Sequence, residues 1–488
     1  MPRLPFAIIF AAVLPLAAAI TDPVRVEQGQ LSGVPGTDPG VRVYKGVPFA
    51  APPVGDLRWR APKPAADWPG VRKADQFSAT CMQTPYPQGS LYYSEAQPVS
   101  EDCLYLNIWT AAKSASDKRP VMVWIHGGAF TRGSGSTPVY DGENFAKKGV
   151  VLVTINYRLG IFGFFAHPEL TQESEHHSSG DYGILDEIAA LQWVQKNIAK
   201  FGGDPKRVTI FGESAGSWAV NVLVASPLTK GLFQRAIGES GANFNKMANL
   251  ADLEKSGARA GSIQELRAKS SAEIMKTQGA FSVNVDGWLL PTDVMTIFEK
   301  GRQNDVPILI GSNADEGTAF TPAKVTLTGF QSTSKRFGAR ADEFLKVYPA
   351  TSDDEAWQAS AHLMRDQTFG LQMRTWARMQ TKTGKSPAYL YYFSHVPPGA
   401  DHYGAYHASE IAYVFGTGRN WQDADRKLSE VMSSYWVNFA TTGNPNGKAL
   451  PVWQKYDEKK DLALGLNDEI QPIPVPNKAG LDFLAASR

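Results

Sequence analysis

Short runs of β-branched and aromatic residues recur along the chain: VMVWIHGG (121–128), VVLVTINYR (150–158), RVTIFGES (207–214), VPILIGSN (306–313) and AYLYYFSH (388–395). Near-continuous apolar runs of this length suit strands covered on both faces, as in a mostly parallel sheet flanked by helices. Between two of them, YGILDEIAALQWVQKNIAKFGGDP has apolar positions at helical spacing and ends at Gly202-Gly203. That is a strand, helix, strand unit. The predicted fold class is therefore α/β: a central, mostly parallel sheet with helices on both faces. The TPAKVTLTGFQSTSKRFGARADEF region and the helical stretch from Glu355 to Gln380 are expected to form a helical cap over the face where such sheets place their sites. No internal repeat or linker interrupts the pattern, so residues 20–488 are expected to form one domain.

One strand ends on a chemically suggestive turn. In VTIFGESAGSWAV an apolar run reaches Gly212-Glu213-Ser214-Ala215-Gly216 and then becomes WAVNVLVAS, of helical character. A strand that turns abruptly into a helix leaves the serine strained and exposed, with the backbones too close for side chains at Gly212 and Gly216. The five-residue motif alone is cheap, and its context carries the weight. The nearby GESGA (238–242) is a decoy, because Ala242 stands where the second glycine should be.

Length and composition agree with a folded globular protein: 488 residues, of which 43% are hydrophobic. The N-terminus, MPRLPFAIIFAAVLPLAAAI, has an early cation, an apolar run and a small-residue site at Ala17-Ala18-Ala19. It reads as a signal peptide over 1–19, too short and too rich in proline for a membrane span of about 20 residues. Export to the periplasm or beyond brings Cys81 and Cys103 into an oxidising compartment, where a pair normally closes into a disulfide. Lys and Arg total 49 against 48 Asp and Glu, which favours neither nucleic acid nor an anionic membrane as partner.

A nucleophilic serine needs a base, a carboxylate to orient the base, and donors for the oxyanion. In the order expected for this type of turn the acid follows a later strand and the histidine a still later one. Ala314-Asp315-Glu316-Gly317 follows VPILIGSN, and PPGADHYGAYHASEIAYVFG, with His402 and His407, follows AYLYYFSHV. The donors belong to a glycine-rich turn after an earlier strand, and His126-Gly127-Gly128-Ala129-Phe130 occupies that place. His126 reads as a packing or loop-ordering residue.

These pieces together resemble the type B carboxylesterase family, the cholinesterase-like branch of the α/β-hydrolases. The matching segments run from GVPFAAPPVGDLRWRAP through EDCLYLNIW, VMVWIHGGAF, VTINYRLGIFGFF, the GDYGILDE…GESAG block, IGSNADEG and HASEIAYVFG to YWVNFATTGNPNG. The resemblance implies a serine carboxylic-ester hydrolase acting on small-molecule esters, without cofactor or metal. It places the nucleophile on Ser214, the acid on Glu316 rather than Asp315, and the base on His407 rather than His402. The oxyanion donors become the amides of Gly128, Ala129 and Ala215, with Gly127 shaping the turn, and the family's first disulfide falls on Cys81 and Cys103. Glu213 and Glu410 become buried polar support.

The chain also departs from the family. Cholinesterases carry a tryptophan in the loop closed by the first disulfide, where it stacks on a quaternary ammonium. This loop has none, and Tyr93 stands about where that residue would fall. The segment between Ser214 and Glu316 is short for the family. Phe130 and Trp218 are candidates for the acyl pocket or for the core. A lipase, thioesterase or amidase could use the same triad. A noncatalytic binding protein of this family typically lacks a triad member, whereas all three are present.

Overall fold

The computed structural model describes residues 20–95 and 97–487; the expected export signal over 1–19 lies outside them. All five apolar runs become strands of one eleven-stranded sheet. In chain order its strands are β1 (Val34–Pro35), β2 (Arg42–Pro48), β3 (Tyr105–Thr110), β4 (Arg119–Ile125), β5 (Val151–Ile155), β6 (Gly203–Glu213), β7 (Arg235–Glu239), β8 (Ile308–Asn313), β9 (Ala388–Phe393), β10 (Leu462–Leu466) and β11 (Gln471–Pro474). Across the sheet they lie β11-β10-β9-β8-β7-β6-β4-β5-β3-β2-β1. From β10 to β5 every pairing is parallel. Both flanks turn antiparallel. The fold is that of an α/β-hydrolase.

The helices that matter for the site are α1 (Tyr182–Asn197), α2 (Ala215–Ala225), α3 (Asp353–Arg365), α4 (Leu371–Thr383) and α5 (Asp423–Thr442). Alternation across the pleat explains why the strand sequences are apolar throughout. In β4, Val121, Val123 and Ile125 enter the buried cluster that contains α1, α2 and α4. Met122 and Trp124, between them, enter the cluster built with α5. Strand β6 therefore has apolar cover above and below, and five strands on either side.

The expected cap is only partly a cap. Helix α3 packs over the turn that follows β8, but α4 lies on β8 and β9 with Trp376 and Ala377 fully buried. The reason is the breadth of its apolar surface: Leu371, Met373, Trp376, Ala377 and Met379 are all buried, and the sheet offers them more apolar cover than an open rim would. A π-helical turn, Asp366–Gly370, joins the two helices.

Cys81 and Cys103 form the expected disulfide, with Cα atoms 5.0 Å apart. The loop between them has further anchors. Gln83 exchanges two hydrogen bonds of 2.8 Å with the backbone of Gly133, and the Ser136 hydroxyl donates to Gln97 Oε1 at 2.7 Å.

Candidate active site

Ser214 sits between β6 and α2 with φ 56° and ψ −121°, a conformation that non-glycine residues rarely adopt. The neighbouring parallel strand helps to fix it, since the Ser214 amide donates to Glu239 O at 2.8 Å. Gly212 and Gly216 are required here, and by more than the strand-to-helix turn. A Cβ on either would run into the carbonyl of Ile125 at the end of β4, so three consecutive backbones meet at the serine. The GESGA decoy turns out to be the next layer. Ser240, at the end of β7, has φ 55°, but its side chain is completely buried and its hydroxyl has no partner among the described residues.

Glu316 begins the turn after β8 and His407 lies in the loop after β9. The His407 imidazole meets Glu316 through Nδ1···Oε2 at 2.5 Å, with both residues buried. Glu316 Oε1 accepts from the Asn313 amide at 2.8 Å, which fixes the carboxylate in the plane the ring needs. Asp315 does different work. Its Oδ2 accepts from the Ala405 amide at 2.8 Å, and its own amide donates to Ala405 O, tying the histidine loop to the acid turn. His402 stacks toward Trp357 instead, with ring centroids 6.4 Å apart.

The second imidazole nitrogen has a partner that sequence reasoning treated only as support. His407 Nε2 lies 3.1 Å from Glu213 Oε1, while the Ser214 hydroxyl makes no hydrogen bond among the described residues. Burial, then repulsion from Glu316 and Glu239, pushes the Glu213 carboxyl well above the usual carboxylate range and so favours its protonated form. Burial also raises Glu239, to about 8, against the opposing hydrogen bond from Trp436. Glu410, raised mainly by burial, accepts from Asn313 Nδ2.

The glycine turn after β4 lies against the serine: a Cβ at Gly127 would come within 3.1 Å of Ser214 Cβ. Gly128, Ala129 and Phe130 have φ of 106°, 55° and 57°, and at Gly128 a side chain would strike the Arg132 carbonyl. The turn closes on itself, with Thr131 and Arg132 amides donating to Gly128 O at 3.0 and 3.1 Å. The amides of Gly128 and Ala129, and that of Ala215 at the start of α2, have no backbone acceptor among the described residues. His126 is buried, stacks on Tyr157 at 4.4 Å and has its pKa lowered to about 4 by burial, as befits a packing residue.

The model of the carboxylesterase family matches residues 21–480. The chain belongs to this family. A fumonisin B1 esterase of Sphingopyxis macrogoltabida is 39% identical to it over 93% of this chain and 88% of that protein. The para-nitrobenzyl esterase of Bacillus subtilis (strain 168) is 35% identical over 92% of this chain and 95% of its own length. A solved PNB esterase structure superposes with a TM-score of 0.83 and 32% identity, covering 94% of this chain and 99% of that one. The protein is accordingly a carboxylic-ester hydrolase of the type B family.

As a carboxylesterase it differs from expectation in the walls of the site. Tyr93 is 46% exposed, and its neighbour Tyr92 is the tyrosine that turns inward, its hydroxyl donating to His407 O at 3.1 Å. Two phenylalanines outside every recognised motif pack on the same histidine. Phe369, on the π-helical turn, has its ring 4.6 Å from the imidazole, and Phe320, which is 43% exposed, lies at 5.0 Å. Phe130 is buried among Tyr157, Phe164 and Trp218 and serves the core, while Trp218, at 5.3 Å from it, is only half-buried. Among the described residues no helix is long and apolar enough to cross a membrane.

Proposed function

We propose that this carboxylesterase cleaves small-molecule esters through an acyl-enzyme on Ser214, with His407 as base and Glu316 as the residue that orients it. The observation that carries the proposal is the buried 2.5 Å contact between His407 Nδ1 and Glu316 Oε2, built next to a serine held at φ 56°. With Nδ1–H given to the carboxylate, the lone pair of Nε2 is the one free to take a proton. In the resting site that lone pair faces the Glu213 carboxyl, whose protonated form burial favours. A bound ester brings the Ser214 hydroxyl to Nε2, and His407 takes its proton as Oγ attacks the carbonyl. His407 then gives the proton to the leaving alcohol, and water repeats the cycle on the acyl-enzyme.

The amides of Gly128, Ala129 and Ala215 are assigned to the developing oxyanion, each donor being worth on the order of 3 kcal/mol of barrier. Tyr92 steadies the histidine backbone from the disulfide loop. The proposal includes export with cleavage of 1–19 and a single α/β-hydrolase domain over 20–488; the bridge between Cys81 and Cys103 supports an oxidising compartment.

Purified protein is expected to hydrolyse p-nitrophenyl acetate or butyrate, Ser214→Ala to abolish the turnover, and an organophosphate to add one adduct at Ser214 by mass spectrometry. A wild-type protein with neither turnover nor adduct overturns the proposal.

A further inference from the structure

The donor turn ends on an arginine whose charge nothing answers. Arg132 is half-buried and its amide is fixed on Gly128 O at 3.1 Å, so its backbone belongs to the oxyanion turn. Its guanidinium lies over the Tyr86 ring at 4.6 Å. Tyr86 packs on Tyr92 at 5.5 Å, and Tyr92 holds the His407 carbonyl. The cation is therefore moored on a pair of packed tyrosines, the second of which holds the His407 backbone. Several buried or half-buried arginines of this chain are paired with carboxylates, as Arg58 is with Glu101, Arg267 with Glu173 and Arg374 with Asp461. Arg132 has no carboxylate and no hydrogen-bond acceptor among the described residues. A cation–π contact holds the plane of a guanidinium and leaves its N–H edge free for a bidentate acceptor.

We propose that Arg132 is a specificity residue, and that the preferred substrates of this hydrolase are esters carrying a free carboxylate a few bonds from the scissile carbonyl. The inference rests on the esterase function proposed above and names the substrate class of that same site. The buried carboxyl of Glu213 forms no ion pair with Arg132, since its Oε1 faces His407 Nε2 at 3.1 Å. The same geometry disfavours quaternary ammonium esters: the wall that lacks a tryptophan already carries a fixed cation, and a second one would be repelled.

The test compares matched charged and neutral esters. For a carboxylate on the acyl side, p-nitrophenyl hydrogen glutarate is set against p-nitrophenyl valerate; for one on the alcohol side, p-acetoxybenzoate is set against p-acetoxybenzamide. The readout is the ratio of kcat/KM, charged over neutral, within each protein. In one of the two pairs the ratio is expected to fall about tenfold or more in Arg132→Gln and to be partly kept in Arg132→Lys. Raising NaCl to about 0.5 M should lower the wild-type ratio in that pair, because the contact is partly exposed to solvent. The pair that responds identifies the side on which the carboxylate sits. A ratio unchanged by Arg132→Gln in both pairs overturns the inference. Should that variant not fold, a wild-type ratio indifferent to salt overturns it equally. Failure of wild type to cleave any of the four esters would sink the esterase reading, and this inference with it.

Discussion

Glu213 Oε1 and His407 Nε2 face each other at 3.1 Å, on the imidazole nitrogen proposed to take the Ser214 proton. Since Glu316 holds the other nitrogen, a glutamate stands at each end of the ring, and burial favours the protonated form of the one at Nε2. A neutral carboxyl can donate to Nε2 and be displaced by a serine hydroxyl without separating charge.

That relationship predicts the alkaline side of the rate profile. Glu213 is protonated below its raised pKa and ionises as pH rises through it. An anion at Nε2 favours the imidazolium and repels the developing oxyanion, so kcat/KM should decline on that limb. Glu213→Gln keeps an uncharged donor and should show no such decline. Identical alkaline limbs in the two proteins would remove Glu213 from the account.

Stability should carry the mark of Glu239. Its folded pKa is raised from an ordinary 4.5 to about 8, so its contribution is fully present below 4.5 and is lost as pH rises toward 8. The slope is on the order of 1 kcal/mol per pH unit for one such group. Urea unfolding at pH 5 and pH 8 should show a smaller loss of stability in Glu239→Gln than in wild type. Parallel curves would show that Glu239 titrates normally.

Gly216→Ala is expected to be severe, because its new methyl meets the Ile125 carbonyl, which is a fixed part of β4. A rigid backbone cannot yield as a flexible side chain can, and the cost should be about 3 kcal/mol or more. Differential scanning calorimetry and active-site titration would measure it; a variant with wild-type Tm and full titration would contradict the close approach.

The disulfide should matter to the site as well as to the fold. Peptide mapping without reduction should recover Cys81 linked to Cys103, and Cys81→Ser with Cys103→Ser should cost about 2–4 kcal/mol. Because the loop presents Tyr86 and Tyr92, KM should rise in that double variant even at a temperature where it is fully folded. Free thiols at both positions in the native protein would refute the bridge.

How much could be read from sequence depended on which forces set each element. Strands β4, β5, β6, β8 and β9 were legible because burial on both faces imposes continuous apolar runs. Strand β7, whose sequence is Arg-Ala-Ile-Gly-Glu, has one β-branched residue and carries no such signal; its neighbours on both sides make it a strand. The order of Ser214, the acid turn and the histidine loop was legible too. Choosing Glu316 over Asp315 and His407 over His402 needed the family resemblance; in the structure Glu316 is the carboxylate that meets His407, while Asp315 accepts from the Ala405 amide. Tyr92 was hidden by one step of loop register. Phe369 was invisible, since a π-helical turn far along the chain brings it to His407.

The place of β6 has a consequence for how this enzyme fails. Sheets come apart from their edges, where strands are paired on one side only, and here the edges are short antiparallel pieces far from Ser214. With five strands on either side, the strained serine turn is anchored in the part of the molecule that opens last. Partial unfolding of the rim leaves that geometry in place, and the strain at Ser214 is released only when the whole sheet gives way. Chemistry and global structure are thus expected to be lost together.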